Sequence, residues 1–206
     1  MTEPRIALLG FLPWVDVARD RNVRENPSAI AAELCARELA GEGRAATFVP
    51  VAVSGEGINE AMEVVRLLSA DVVVALGQTG ARDPTPRVET QGIVPGAWAP
   101  ASEDEPKPWP LAPDAEVLVA KLNELTIAEA ETAPFRTSDD PGGYFCDHLC
   151  VELVREARRR PLQARFLHVT PIDGCSPEVR DGRIRQYVRQ TRATVEWLLR
   201  LCGASR

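Results

Sequence analysis

The chain has 206 residues and a mass of 22.5 kDa, which suits one domain over 1–206 with a core large enough to fold unaided. A net charge of −6 and a pI near 5.1 argue against a nucleic-acid partner, and no apolar run approaches the ~20 residues of a membrane span. The five cysteines form no CxxC pair, and the opening Met1-Thr-Glu-Pro-Arg5 carries no cleavage-site pattern, so a reduced, cytoplasmic protein is expected.

Strand and helix signals alternate along the chain. Arg5–Gly10 is a short apolar run ending in glycine, the pattern of a buried first strand. Asn26-Pro-Ser28 opens a helix, with Pro27 in the first turn behind an asparagine cap, and the helix runs to about Leu39. Ala46–Val51 reads as a second strand and Asn59–Leu68 as a second helix. Asp71–Gly77 is a third strand, mostly β-branched and stopped by glycine.

The stretch 83–113 is rich in proline and carries Trp98, Trp109 and the acidic cluster Glu103-Asp-Glu105, which reads as a long packed loop. Helical spacing resumes over Asp114–Leu125. After the polar stretch Thr137–Gly143 comes a strong helix, Phe145–Arg159. Ala164–Thr170 is then a strand and Asp181–Leu201 the last helix. This alternation predicts an α/β fold, an open, mostly parallel twisted sheet flanked by helices. Ligands of such sheets sit at the carboxyl ends of the strands, so the loops after Gly10, after Gly77 and after His168 should converge.

Few residues are candidates for chemistry there. Cys146 opens a helix, where the positive dipole end and free N–H groups favour a thiolate nucleophile and its oxyanion. A packing cysteine at a loop–helix junction fits the same position. Only two histidines exist, His148 and His168. His148 is two residues from Cys146 on one helix and points away from it. His168, near the end of a strand, reads as a base or as a core histidine. Cys150 lies one helical turn from Cys146 and reads as core. Phe11 and Trp14 follow the first strand and form either core packing or a flat apolar slot for a planar ligand. Gly77-Gln-Thr-Gly-Ala-Arg82 lacks a nucleotide-binding pattern, but Gln78 offers a donor and an acceptor and Arg82 a cation.

Four segments together resemble pyroglutamyl peptidase I, the pyrrolidone-carboxylate cysteine peptidases. Leu9-Gly-Phe-Leu-Pro-Trp14 with Asn26-Pro-Ser28 is similar to the family's Gly-Phe-x-Pro-Phe and Asn-Pro-Ser. Val74–Arg82 is similar to its Gly-Gln-Ala-Gly-Gly-Arg loop, Tyr144-Phe-Cys-Asp-His148 to its Tyr-Val-Cys-Asn-His, and Phe166-Leu-His-Val169 to its Phe-Ile-His-Val-Pro. The resemblance implies Cys146 as nucleophile and His168 as general base. It implies Phe11 and Trp14 as the clamp on a pyroglutamyl lactam ring, with Gln78, Arg82, Tyr144 and Phe145 also at the substrate. It implies an acyl-enzyme hydrolase of small peptides or amides, with no metal or other cofactor. It implies a homo-oligomer, dimer or tetramer, for which the acidic loop at 95–113 is a plausible subunit contact.

The sequence also departs from that pattern. The family's third catalytic residue is a glutamate directly before an Arg-Val pair, and here Pro86 precedes Arg87-Val88. Glu89 lies three residues on. An odd shift along a strand points to the opposite face, so Glu89 is expected not to inherit the role fully. Val15-Asp16 replaces a glycine pair, and Asp147 stands for asparagine. These changes leave two other outcomes open: an amidohydrolase of the same mechanism acting on another lactam or small N-acyl amide, and a binding homologue without catalysis.

Overall fold

Residues 3–16, 21–79, 87–89, 91–94, 116–119, 136–138 and 145–204 are described by the computed structural model. In chain order the elements are β1 (Ile6–Phe11), β2 (Trp14–Asp16), β3 (Arg21–Val23), α1 (Pro27–Gly41), β4 (Ala46–Val51), α2 (Gly55–Leu67) and β5 (Val72–Gln78). There follow β6 (Arg87–Glu89), β7 (Gln91–Val94), β8 (Glu116–Val119), β9 (Arg136–Ser138), α3 (Phe145–Arg159), β10 (Gln163–Val169) and α4 (Pro177–Ala204).

Strands β1 and β5 are apolar on both faces because helices cover both, and β10 is buried from Ala164 onward with Arg165 and His168 as its polar side chains. The main sheet has the order β4-β1-β5-β10-β6-β9. Its first four strands are parallel, while β6 runs antiparallel to β10 and β9 parallel to β6. Side chains alternate between two cores. Ile6, Leu8, Val72, Val74, Leu76, Leu167 and Val169 pack against α1 and α4. Ala7, Leu9, Phe11, Val73, Ala75, Ala164 and Phe166 pack against α2 and α3. The expected α/β fold with an open, mostly parallel sheet is therefore observed.

Several local expectations differ from the structure. Helix α2 begins four residues before Asn59, because Ser54 caps it by accepting a hydrogen bond from the Gly57 amide. Gly55 and Gly57, poor helix formers, concealed that first turn. The stretch read as a loop after residue 83 contains strands β6 and β7. The helix expected over 114–125 is instead a strand at its start, since Glu116–Val119 pairs antiparallel with Gln91–Val94. Glu-Val-Leu-Val suits a strand as well as a helix, and the partner decides between them. The short hairpin of β2 and β3 was not anticipated. No helix of the described residues is long and apolar enough to cross a membrane.

Close approach between β1 and α1 depends on Gly10. A Cβ there would lie 2.6 Å from the Ala29 Cα and 2.6 Å from the Ser28 carbonyl oxygen, both backbone atoms that cannot swing aside. Gly10→Ala is expected to destabilise the fold by ~1–3 kcal/mol, the usual cost of overpacking. Gly41, at the end of α1, has nothing within 4 Å of its Cβ position, and Gly41→Ala is expected to stabilise by ~0.5–1 kcal/mol. Urea unfolding midpoints of the two variants check both signs.

Candidate active site

The carboxyl ends of β1, β5 and β10 lie side by side because the three strands are parallel and in register. The segment after β1 is held by its own sequence motif. The Asn26 side chain caps α1 at the Ser28 amide (3.1 Å) and donates through Nδ2 to the Leu12 carbonyl (3.3 Å). The Ser28 hydroxyl reaches the Phe11 carbonyl (3.3 Å). The Asn-Pro-Ser motif thus starts a helix and also fixes the turn that leads to Trp14. Trp14 is half-buried in the β2–β3 hairpin. Phe11 is only 2% exposed and belongs to the core shared with α2 and α3.

Cys146 lies in the first turn of α3, partly exposed, and is hydrogen-bonded to the His168 side chain. The parity of β10 explains the meeting. Ala164 and Phe166 face α3, so His168, two residues on, faces it too. The helix packs across β5 and β10, which brings its amino-terminal turn to the strand ends.

Glu89 is where the strand-parity expectation fails. Its carboxylate Oε1 lies 2.6 Å from His168 Nδ1, with the glutamate 1% and the histidine 5% exposed. The reason is the register of β6, which is set by β10. Leu167 faces Val88 and His168 faces Arg87, so Glu89 continues the ladder opposite Phe166, on the face that also carries His168. Counting from Pro86 placed the origin of the alternation wrongly; the alternation itself holds. The second oxygen, Oε2, is buried without a hydrogen-bond partner among the described residues.

Electrostatics follow from this arrangement. Burial, the largest single influence on His168, pulls its pKa down. The charge and hydrogen bond of Cys146 and those of Glu89 outweigh it and raise the imidazole to about 10. His168 is thereby favoured as an imidazolium. Burial pushes the Cys150 thiol well up, helped by the charges of Asp147, Glu89 and Cys146, and that side chain is core. Cys35 is likewise pushed up, to about 12, chiefly by burial. His148 is half-buried with its ring against the Gly55 position, and burial lowers its pKa.

The remaining expected residues are partly in view. Gln78 ends β5 in register with Val169, and its Oε1 is buried without a hydrogen-bond partner among the described residues. Phe145 is half-buried beside the core of α2 and α3. Arg82 and Tyr144 lie outside the described residues, as does the loop at 95–113. The sequence reading missed the part played by Gly77. It pairs with His168 across β5 and β10, and the signal available was a glycine at an inward-facing position of an otherwise bulky strand. It also missed that Asp147, next to the thiol, is buried.

No protein-family profile and no curated protein matches the chain. Solved structures do match in fold. The chain is similar to the pyroglutamyl peptidase I from Bacillus amyloliquefaciens, with a TM-score of 0.61 and 20% identity over 94% of this chain and 95% of that chain. It is similar to the pyrrolidone carboxyl peptidase from Thermococcus litoralis, with a TM-score of 0.62 and 17% identity over 98% and 96%. For the pyrrolidone carboxyl peptidase from Thermus thermophilus the TM-score is 0.57 and the identity 21%, over 90% and 99%.

The chain has only two histidines, so imidazole NMR resolves the electrostatics directly. His168 is expected to titrate above the ordinary value of 6.5 and His148 below it. At pH 7 the first is then charged and the second neutral. Glu89→Gln removes one of the two influences that raise the imidazole and should bring the His168 midpoint down, leaving His148 where it was. A His168 midpoint at or below 6.5 in the unsubstituted protein would contradict the geometry.

Proposed function

We propose that the chain is a cysteine hydrolase that cleaves the amide bond after an N-terminal pyroglutamyl group through an acyl-enzyme. The observation that carries this reading is the buried contact of His168 Nδ1 with Glu89, on an imidazole that also bonds Cys146. A nucleophile, a base and an acid that orients the base form the set that acyl transfer needs. The fold-level likeness to pyroglutamyl peptidases supports the same reading.

The steps follow from the groups present. Glu89 accepts a hydrogen bond from the Nδ1–H of His168, which turns Nε2 toward the sulfur, and Nε2 takes the proton of the Cys146 thiol to leave a thiolate. The Cys146 sulfur attacks the substrate carbonyl, and free N–H groups of the first turn of α3 stabilise the oxyanion. His168 gives its Nε2 proton to the leaving amine, and the C–N bond breaks. The same imidazole then takes a proton from water, whose oxygen attacks the thioester. The carboxylic acid leaves and the thiol is restored. Trp14 stacks on the lactam ring, and Gln78 Oε1, lacking a partner among the described residues, accepts the lactam N–H.

A second reading is favoured by Phe11. Because that ring is buried in the core, Trp14 alone of the two aromatics is open to a ligand. The same machinery then serves a lactam or small N-acyl amide of a different shape.

A chromogenic pyroglutamyl amide assayed beside prolyl, glutamyl and N-acetyl amides separates the two readings. The first expects turnover of the pyroglutamyl compound to dominate; the second expects another acyl group to be preferred. Cys146→Ser should abolish turnover in either case, while Cys150→Ser should retain it. Glu89→Gln should lower kcat by ~10²-fold or more, as loss of an orienting acid does. Trp14→Ala should raise KM about 2- to 10-fold, the equivalent of a lost stacking contact. Full activity in Cys146→Ser would end both readings.

A further inference from the structure

The thiol–imidazole pair rests on two groups that do no chemistry of their own. Gly77 lies directly beside His168 in the β5–β10 register, and both positions face α3. A Cβ on Gly77 would fall 2.6 Å from Cys146 Sγ and 2.7 Å from the Phe166 ring carbon Cζ. The sulfur and the ring tip therefore fill the space that every other residue type would need. The Phe166 ring also meets His168 edge to face, with centroids 5.0 Å apart and planes at 78°. One aromatic side chain thus borders the base and reaches, at Gly77, the same small space as the nucleophile.

The hydrogen bond from Nδ1 to Glu89 fixes one corner of the imidazole and does not by itself set the tilt of the ring toward Cys146. The Phe166 ring limits that tilt. The bare backbone of Gly77 sets how deep Sγ can sit. Depth and tilt together determine whether the sulfur meets Nε2. We propose that Gly77 and Phe166 are positioning residues that form the seat of the Cys146–His168 pair. This rests on the reading of Cys146 and His168 as nucleophile and base, though not on the identity of the substrate.

The seat is tested with Gly77→Ala and Phe166→Met, the latter close in volume so that folding is kept. Leu167→Ala serves as the control: it opens a cavity of larger cost on the opposite face of the same strand, in the other core. Three readouts are taken: the His168 titration midpoint by NMR, the rate of Cys146 alkylation by iodoacetamide at pH 7, and kcat and KM on whichever amide the protein hydrolyses. Both seat variants are expected to lower the His168 midpoint and slow alkylation about tenfold or more. They should reduce kcat by ~10²-fold, the scale of a misplacement of about 1 Å, with KM little changed. Leu167→Ala should lower the melting temperature and leave midpoint and alkylation rate in place. The proposal is overturned if the folded seat variants keep both values, or if Leu167→Ala moves them as far. If no amide is hydrolysed, the proposed activity fails while titration and alkylation still decide the seat.

Discussion

A carboxyl group that is 1% exposed needs a polar partner, and for Glu89 that partner is the His168 ring at 2.6 Å. Much of the architecture near the site follows from satisfying this pair. Strand β6 has only three residues, yet it pairs antiparallel with β10, between β10 and the edge strand β9. That sense and register put Glu89 diagonally across from His168. On the other side of the ring, the first turn of α3 supplies Cys146. The imidazole is thus enclosed by two acidic groups, and the two together raise its pKa against the effect of burial. Removal of either group would take away one of the influences that offset burial.

The two cores on the faces of the sheet give this site its sidedness. Residues facing α1 and α4 are mostly aliphatic, with polar exceptions in Arg165, buried over the Trp197 ring at 4.4 Å, and in Tyr187 and Thr170, bonded to each other at 2.6 Å. Residues facing α2 and α3 begin as aliphatic packing and become reactive only at the strand ends, through Gly77 and His168. Rigid, fully packed strands therefore carry the candidate site, and such packing is what holds side chains within tenths of an ångström. Two glycines of the main sheet serve close approaches, on opposite faces. Gly10 lets α1 press on β1, and Gly77 lets a thiol press on β5.

Stability elsewhere is separate from the site. Glu156 is buried on α3 and paired with Arg66 of α2 (3.0 Å) and Arg160 (2.6 Å), and Arg160 also donates to the Ala70 carbonyl at 2.6 Å. This network fastens the far end of α3 to α2 and to the start of β5, opposite the end that carries Cys146. Arg180 binds both carboxylate oxygens of Glu25, joining α4 to the segment just before α1. The exposed setting of that pair makes it a minor contribution.

Sequence alone determined the elements with strong local signals. The residue pattern of β1, β4, β5, α1, α3 and β10 was legible, since apolar periodicity and caps act within a few residues. It also marked Cys146 and His168, because a helix start and a strand end are local features. Tertiary structure decided what depended on a distant partner. Whether Glu116–Val119 became helix or strand was settled by Gln91–Val94 across a hairpin. Whether Glu89 faced toward or away from His168 was settled by the ladder with β10, since a strand has no facing of its own until a neighbour fixes its register. Gly77 appears in sequence as a strand stop. Only the packing of α3 across β5 turned its missing Cβ into the space the Cys146 sulfur occupies, because Gly77 and Cys146 are about seventy residues apart in the chain.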